Sequence, residues 1–308
     1  MKSQKIHAVL MVILLISLSV SSGAAFLNTY KIKGEFETSP GEWKFYYLQG
    51  SEFGKLTIEF DWVKVKEEKP NLNATDLLVQ RAKKYVDKPV GIRAEFSNEI
   101  STNYMDVDYN LTQIEKIEAG NRNYHTNPYT GELCLYIVYL NGHYRNETNE
   151  RVDTVLGVSY HASSIAVFRD AVWGYQTGPQ VWRREAAVLV HEFGHMMGLV
   201  NIGYRSAVNR SYFDPDEHKY DEYHCNNSRC VMYPKIERQM ANPVYIANYS
   251  TDFCRNCSND IGALKKVFDG KIILRYFFAA VMIAGVAAAV WVLYTRIWKR
   301  RGLAEEKN

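Results

Sequence analysis

Proline and glycine are sparse in this chain, 8 and 19 of 308 residues, and no internal repeat or low-complexity stretch is present, which excludes a collagen-like rod and a disordered tail. Cysteine is sparser still. Five cysteines in 308 residues exclude a small disulfide scaffold, and the odd number leaves one thiol over if the others pair. A dominant charge is also missing, since 37 Lys+Arg against 34 Asp+Glu leave only +3. Even that excess lies at the ends: residues 1–25 and 272–308 together carry 8 basic and 2 acidic side chains, and the middle, 26–271, carries 29 against 32. With a mildly acidic body, no nucleic-acid partner is expected. What remains is 47% hydrophobic and 23% charged residues, a composition able to bury a core of domain size.

Two uncharged apolar runs flank that body. Residues 8–20 follow Lys2 and Lys5 and precede small residues 21–25, the layout of a signal peptide over 1–25. Residues 276–294 are 19 positions without a charge, about 28 Å as a helix, with Tyr294 and Trp298 as interfacial anchors and Arg296, Lys299, Arg300 and Arg301 beyond. The expectation is a single-pass cell-membrane protein. In it, 26–54 is a lead-in of unread role, 55–271 an extracellular domain, 276–294 a transmembrane helix contacting membrane lipid, and 295–308 a cytoplasmic tail. Asn-x-Ser/Thr sequons at Asn73, Asn110, Asn146, Asn209, Asn226, Asn248 and Asn256 all fall between the two runs, as in a glycoprotein.

Periodicity orders the body. KLTIEFDWVKV from Lys55 alternates, with Leu56, Ile58, Phe60 and Trp62 on one face, and reads as a strand. Asn73 is expected to cap a helix reaching about Val86, and GIRAEF at 91–96 is a second strand, so strand, helix and strand predict a crossover unit in a mixed sheet. LCLYIVYL at 133–140 is a buried strand holding Cys134 as a buried free thiol, and 155–168 reads as two short strands broken at 162–164. A cap at Thr177-Gly178-Pro179 then leads into a helix from Val181 to Met197.

That helix carries His191-Glu192-Phe193-Gly194-His195. Positions four apart lie about 40° apart around a helix, so the two imidazoles share a face and can direct nitrogens at one zinc, with Glu192 beside them to handle a proton. A chance match would be a polar solvent face. Here AAVLV precedes the motif, so the helix is buried and a polar triplet at its end needs a purpose. Gly198 stands where the helix must end and can take the positive φ that turns the chain back. Four further cysteines, Cys225, Cys230, Cys254 and Cys257, are spaced C-x4-C and C-x2-C. Two disulfides are one reading; the short spacings favour a zinc site, because a bridge across two residues is strained.

With the 23 residues 201–223 set aside as an insertion, the string reads HExxHxxGxxHCx4CxM with a distal CxxC. This closely resembles the archaemetzincins, metzincin-clan peptidases that pair a catalytic zinc with a four-cysteine zinc site. The resemblance is dense over 188–257 and looser over 55–168. It implies an α/β (α+β) fold: a metzincin-like mixed twisted sheet, an active-site helix and a Cys-rich C-terminal subdomain, here with the transmembrane helix added. It further implies His191, His195 and His224 as ligands of the catalytic Zn²⁺, with His218 in the insertion as the rival third ligand, and Glu192 as general base. Met232 becomes the methionine beneath the site, and Cys225, Cys230, Cys254 and Cys257 the ligands of a second, structural zinc. The strand around Leu156, Gly157, Val158 and Ser159 resembles the metzincin edge strand that pairs with extended substrate backbone.

The reaction implied is hydrolysis of a peptide or protein substrate by a zinc-bound water, with Glu192 taking its proton. The alternative is a catalytically inactive cell-surface binding module, against which the intact His191, Glu192 and His195 weigh. Intramembrane proteolysis is rejected, because the motif lies about 80 residues before the C-terminal apolar run and its helix carries Arg183, Arg184 and Glu185.

Overall fold

The centre of the sheet is β1 (Lys55–Val63), in a computed structural model that describes residues 37–63, 69–101, 108–173, 181–199, 219–221, 224–234 and 250–305. It pairs in parallel with β2 (Gly91–Ile100) on one side and β3 (Glu132–Leu140) on the other. Two short strands, β4 (Tyr144–Arg145) and β5 (Arg151–Val152), form a separate hairpin. Beyond β3 comes β7 (Ser164–Phe168), parallel to it, and β6 (Gly157–His161) closes the row antiparallel to β7, for an order β2-β1-β3-β7-β6. This is the mixed sheet the alternating segments predict. The break expected within 155–168 lies at Ala162 and Ser163, between β6 and β7.

Leu56, Ile58, Phe60 and Trp62 are buried, as the alternation of β1 implies, but Thr57, Glu59 and Asp61 on the other face are buried as well. Polar groups tolerate this only when donors meet them. The Glu59 carboxylate accepts the N–H groups of Asn123 and Tyr124, both at 2.9 Å, and Asp61 accepts from Asn98 N–H at 2.8 Å and the Tyr136 hydroxyl at 3.0 Å. Both donors to Glu59 follow α3 (Leu111–Asn121), a helix the sequence reading passed over, although Asn110 and Gln113 form a reciprocal capping box at its start.

The crossover helix α2 (Leu72–Tyr85) starts two positions earlier than expected: Asn71 is the cap, its side chain accepting Asn73 N–H at 3.0 Å, and Asn73 sits inside the first turn. Helix α2 packs on α5 (Val181–Met196), which follows α4 (Arg169–Trp173) and lies against β6. The expected cap at 177–179 lies outside the described residues. The lead-in also joins this layer. Its short helix α1 (Lys44–Leu48) and flanks bury Trp43, Tyr47, Leu48 and Phe53; the Tyr47 hydroxyl donates to Ala162 O at 3.1 Å and its ring meets Phe193 of α5 edge-on at 5.9 Å. A compact unit, Gly34–Lys266, contains all of these elements.

The helix α6 runs Arg255–Glu305, but the expected membrane topology is corrected: among the described residues no helix is long and apolar enough to cross a membrane. The run 276–294 lies inside this 51-residue helix, whose two ends are polar in sequence. The single-pass location, the transmembrane helix at 276–294, the lipid contact and the assignment of an extracellular body with a cytoplasmic tail are therefore not carried forward. The stretch expected as a signal peptide, 1–25, lies outside the described residues.

Candidate functional site

Every residue of α5 from Arg184 to Met196 is buried, so its polar side chains must be satisfied from within. Near the start, Glu185 accepts from Asn71 N–H at 3.0 Å, the Tyr139 hydroxyl at 2.9 Å and Trp173 Nε1 at 3.3 Å, tying α5 to α2, β3 and α4. Burial raises its carboxyl above the ordinary range against the pull of those donors. At the far end, His191 and His195 bring their Nε2 atoms to 3.1 Å, with the rings edge-on at 4.7 Å.

A third imidazole completes the group. Strand β8 (Lys219–Asp221) pairs antiparallel with β9 (His224–Cys225), Asp221 opposite His224, so the end of the insertion folds back and delivers His224 to the helix. Its ring lies 5.3 Å from His191 and 5.9 Å from His195, and the ligand nitrogens of all three histidines lie within 4.8 Å of one another. His218 and most of the insertion lie outside the described residues.

Two features suit this cluster to a cation. His191 Nδ1 is 2.8 Å from Val231 O, and since a carbonyl can only accept, Nδ1 carries the hydrogen and Nε2 keeps its lone pair for the centre. Burial, and after it the neighbouring His191 and His224, hold His195 well below the ordinary imidazole range, so it stays neutral and able to donate electrons to a metal. Backbone groups then shape the surroundings. Gly198 takes φ +77° and returns its N–H to His195 O at 2.9 Å, the expected left-handed stop; an added Cβ would also come within 2.6 Å of Lys44 Cδ. Gly194 answers a question its helix position raises. A Cβ there would overlap Met232 Sδ and meet Phe253 Cε1 at 3.0 Å, so its absence lets fully buried Met232 pack against the helix that carries the histidines.

Glu192 is also buried, and the edge of the sheet reaches it. Ser159 Oγ donates to Glu192 Oε2 at 2.7 Å, and a Cβ on Gly157 would stand 3.1 Å from Glu192 Cγ and 2.8 Å from Val188 Cγ1. Among the four edge-strand positions, Leu156 and Gly157 are buried while Val158 and Ser159 are half-buried. Leu156 lies just before β6, its carbonyl accepting Phe168 N–H at 2.9 Å.

The four cysteines form a second cluster. All are free thiols; Cys225 and Cys254 place their sulfurs 3.8 Å apart, Cys230 and Cys257 3.7 Å, and all four lie within 4.8 Å of one another. A disulfide needs about 2.0 Å. Four sulfurs each about 2.3 Å from a zinc at a tetrahedron's centre would be about 3.8 Å apart, which these separations approach. Hydrogen bonding within the quartet is unequal: contact with Cys225 pulls Cys254 well below the usual thiol range and pushes Cys230 and Cys257 above it. Cys134 stands apart from the quartet, buried in β3 and outside any disulfide, as its strand position implied.

One loop joins the two clusters. Cys225 N–H donates to Met232 O at 2.9 Å and Val231 N–H to Asp252 O at 3.0 Å, so the residue whose carbonyl orients His191 is held between the two cysteine pairs. No side-chain pattern marks Val231 for this role, because a backbone carbonyl has no sequence signature.

No protein-family model matches this chain, and no curated protein does. Similar solved structures include an archaemetzincin from Methanopyrus kandleri, 15% identical with a TM-score of 0.42, over 69% of this chain and 97% of that one. Another is a zinc-dependent peptidase from Methanocorpusculum labreanum (strain Z), 12% identical with a TM-score of 0.41, over 66% of this chain and 99% of that one. Likenesses of this size carry no argument about chemistry, and the residues and distances above carry it instead.

Proposed function

We propose that the chain is a zinc-dependent peptidase with two metal sites. The reading rests on the convergence of His191, His195 and His224 on one point, with Glu192 next to them in the chain. Three neutral imidazoles would hold the catalytic zinc, and Cys225, Cys230, Cys254 and Cys257 would hold a structural one, their sulfur separations fitting a tetrahedral ion better than two disulfides. A zinc held by the histidines would supply a Lewis acid able to acidify a water towards neutrality.

The chain's own residues do the rest. Glu192 removes a proton from the attacking water at one carboxylate oxygen and returns it to the leaving amine nitrogen. Val231 O keeps His191 in the tautomer that offers Nε2. Strand β6, last in the sheet order, offers backbone around Leu156, Gly157, Val158 and Ser159 for an extended peptide to pair with. Met232 fills the space below the histidines that Gly194 leaves, and Gly198 turns the chain out of the helix.

Elemental analysis with a peptide-cleavage assay tests this. Two zincs per chain are expected, with Glu192→Gln keeping both and losing about 10²–10⁴-fold in kcat. His224→Ala is expected to lose the catalytic zinc alone. A fully active His224→Ala would return the third ligand to the insertion, and a protein without zinc would refute the reading.

A further inference from the structure

We propose that Ser159 is the positioning residue of Glu192: its hydroxyl fixes the carboxylate in the orientation needed for proton transfer, beyond any backbone pairing that β6 offers a substrate. The inference rests on the reading of Glu192 as general base. Its support is a contact that spacing in the sequence cannot disclose, because the two residues are 33 positions apart.

Ser159 Oγ lies 2.7 Å from Glu192 Oε2 and 3.2 Å from Glu192 O. A hydroxyl has one hydrogen, and the shorter contact to a charged acceptor is the stronger of the two. Without such a bond a glutamate has three side-chain torsions with which to leave its working position, and an error of about 1 Å in a reacting group costs up to ~10²-fold in rate. The strand is built to bring the hydroxyl this close. Gly157 and Ser159 are two apart and share the face of β6 turned to α5. A side chain at Gly157 would press on Val188 Cγ1 at 2.8 Å and Glu192 Cγ at 3.1 Å, separating strand from helix and lengthening the Ser159 contact. The glycine permits the approach and the serine uses it.

The test uses zinc-loaded protein, five chains and three readouts. Ser159→Ala is expected to lower kcat about 10- to 100-fold with KM and zinc content unchanged, and Ser159→Thr, which keeps the hydroxyl, to restore most of it. In a Glu192→Gln background Ser159→Ala should lower the residual rate no further, since the group it positions no longer accepts a proton. Urea midpoints of wild type, both single variants and the double variant should be non-additive, as for two side chains in contact. A raised KM at unchanged kcat makes Ser159 a substrate contact and overturns the proposal, as do equal losses in both backgrounds. If Glu192→Gln leaves hydrolysis intact, the general-base reading has failed. Non-additive midpoints then still uphold Ser159 as the group that fixes the Glu192 side chain, and additive midpoints overturn it.

Discussion

Replacing Gly194 by alanine sets two known effects against each other inside the helix that carries His191 and His195. Helix propensity favours the change: alanine in a helix interior is about 1 kcal/mol better than glycine. Packing opposes it. The new methyl would overlap Met232 Sδ and lie 3.1 Å from Met232 Cε and 3.0 Å from Phe253 Cε1. Met232 is flexible but fully buried, so its displaced end has to enter occupied space. Phe253 is braced edge-on against Tyr85 at 4.9 Å, and the preceding Asp252 is held by the Tyr85 hydroxyl at 2.5 Å and Lys84 Nζ at 2.7 Å. With one neighbour braced and the other enclosed, the cost belongs near the upper end of the ~1–3 kcal/mol seen for overpacked cores. The net expectation is a loss of about 2 kcal/mol, or roughly 4–8 °C in Tm at this chain size. Thermal unfolding of the zinc-loaded variant measures it. In a Met232→Ala background the overlapping sulfur and methyl are gone and only the Phe253 contact remains, so the loss caused by Gly194→Ala should shrink towards zero. Stabilisation in the wild-type background would refute the packing argument.

Two further outcomes follow from the cysteines and from Asp61. Unfolding in a chelator without reductant should expose five alkylatable thiols, the quartet and Cys134; a single reactive thiol would mean that the quartet had formed two disulfides. Asp61 has a folded-state pKa raised to about 6, by burial first and by Glu59 second, against an ordinary 3.8. The folded protein therefore holds this proton more tightly than the unfolded chain, and the stabilisation is complete below about pH 4 and lost as pH rises through about 6. At about 1.4 kcal/mol per pH unit this amounts to ~3 kcal/mol, so wild type should lose that much relative to Asp61→Asn between pH 4 and 7, and a constant difference would refute it.

The parts of this fold legible in sequence were those written in a repeating pattern or a cap. Strands β1, β2, β3, β6 and β7 and helix α5 announce themselves by period or by apolar runs. Helix α1 is five residues long, too short to show a period, and its place against Phe193 depends on a tertiary contact. The burial of Thr57, Glu59 and Asp61 on the other face of β1 has no mark in the sequence, because alternation reports side-chain polarity and not the donors waiting opposite.

For the site itself, the sequence alone settled which chemistry was available. His191, Glu192 and His195 needed only helical spacing to share a face, and Gly198 only its freedom at positive φ. Every link between distant segments was decided by tertiary structure. His224 reaches the helix because β8 and β9 pair, and the four thiols meet because their loops fold onto one another. Val231 O selects the tautomer of His191, Ser159 reaches Glu192 across the edge of the sheet, and Gly194 stays bare to admit Met232. Local spacing is a property of one helix or strand and survives in the linear order of residues, whereas a contact across 29 to 40 positions exists only once packing has chosen which surfaces face each other.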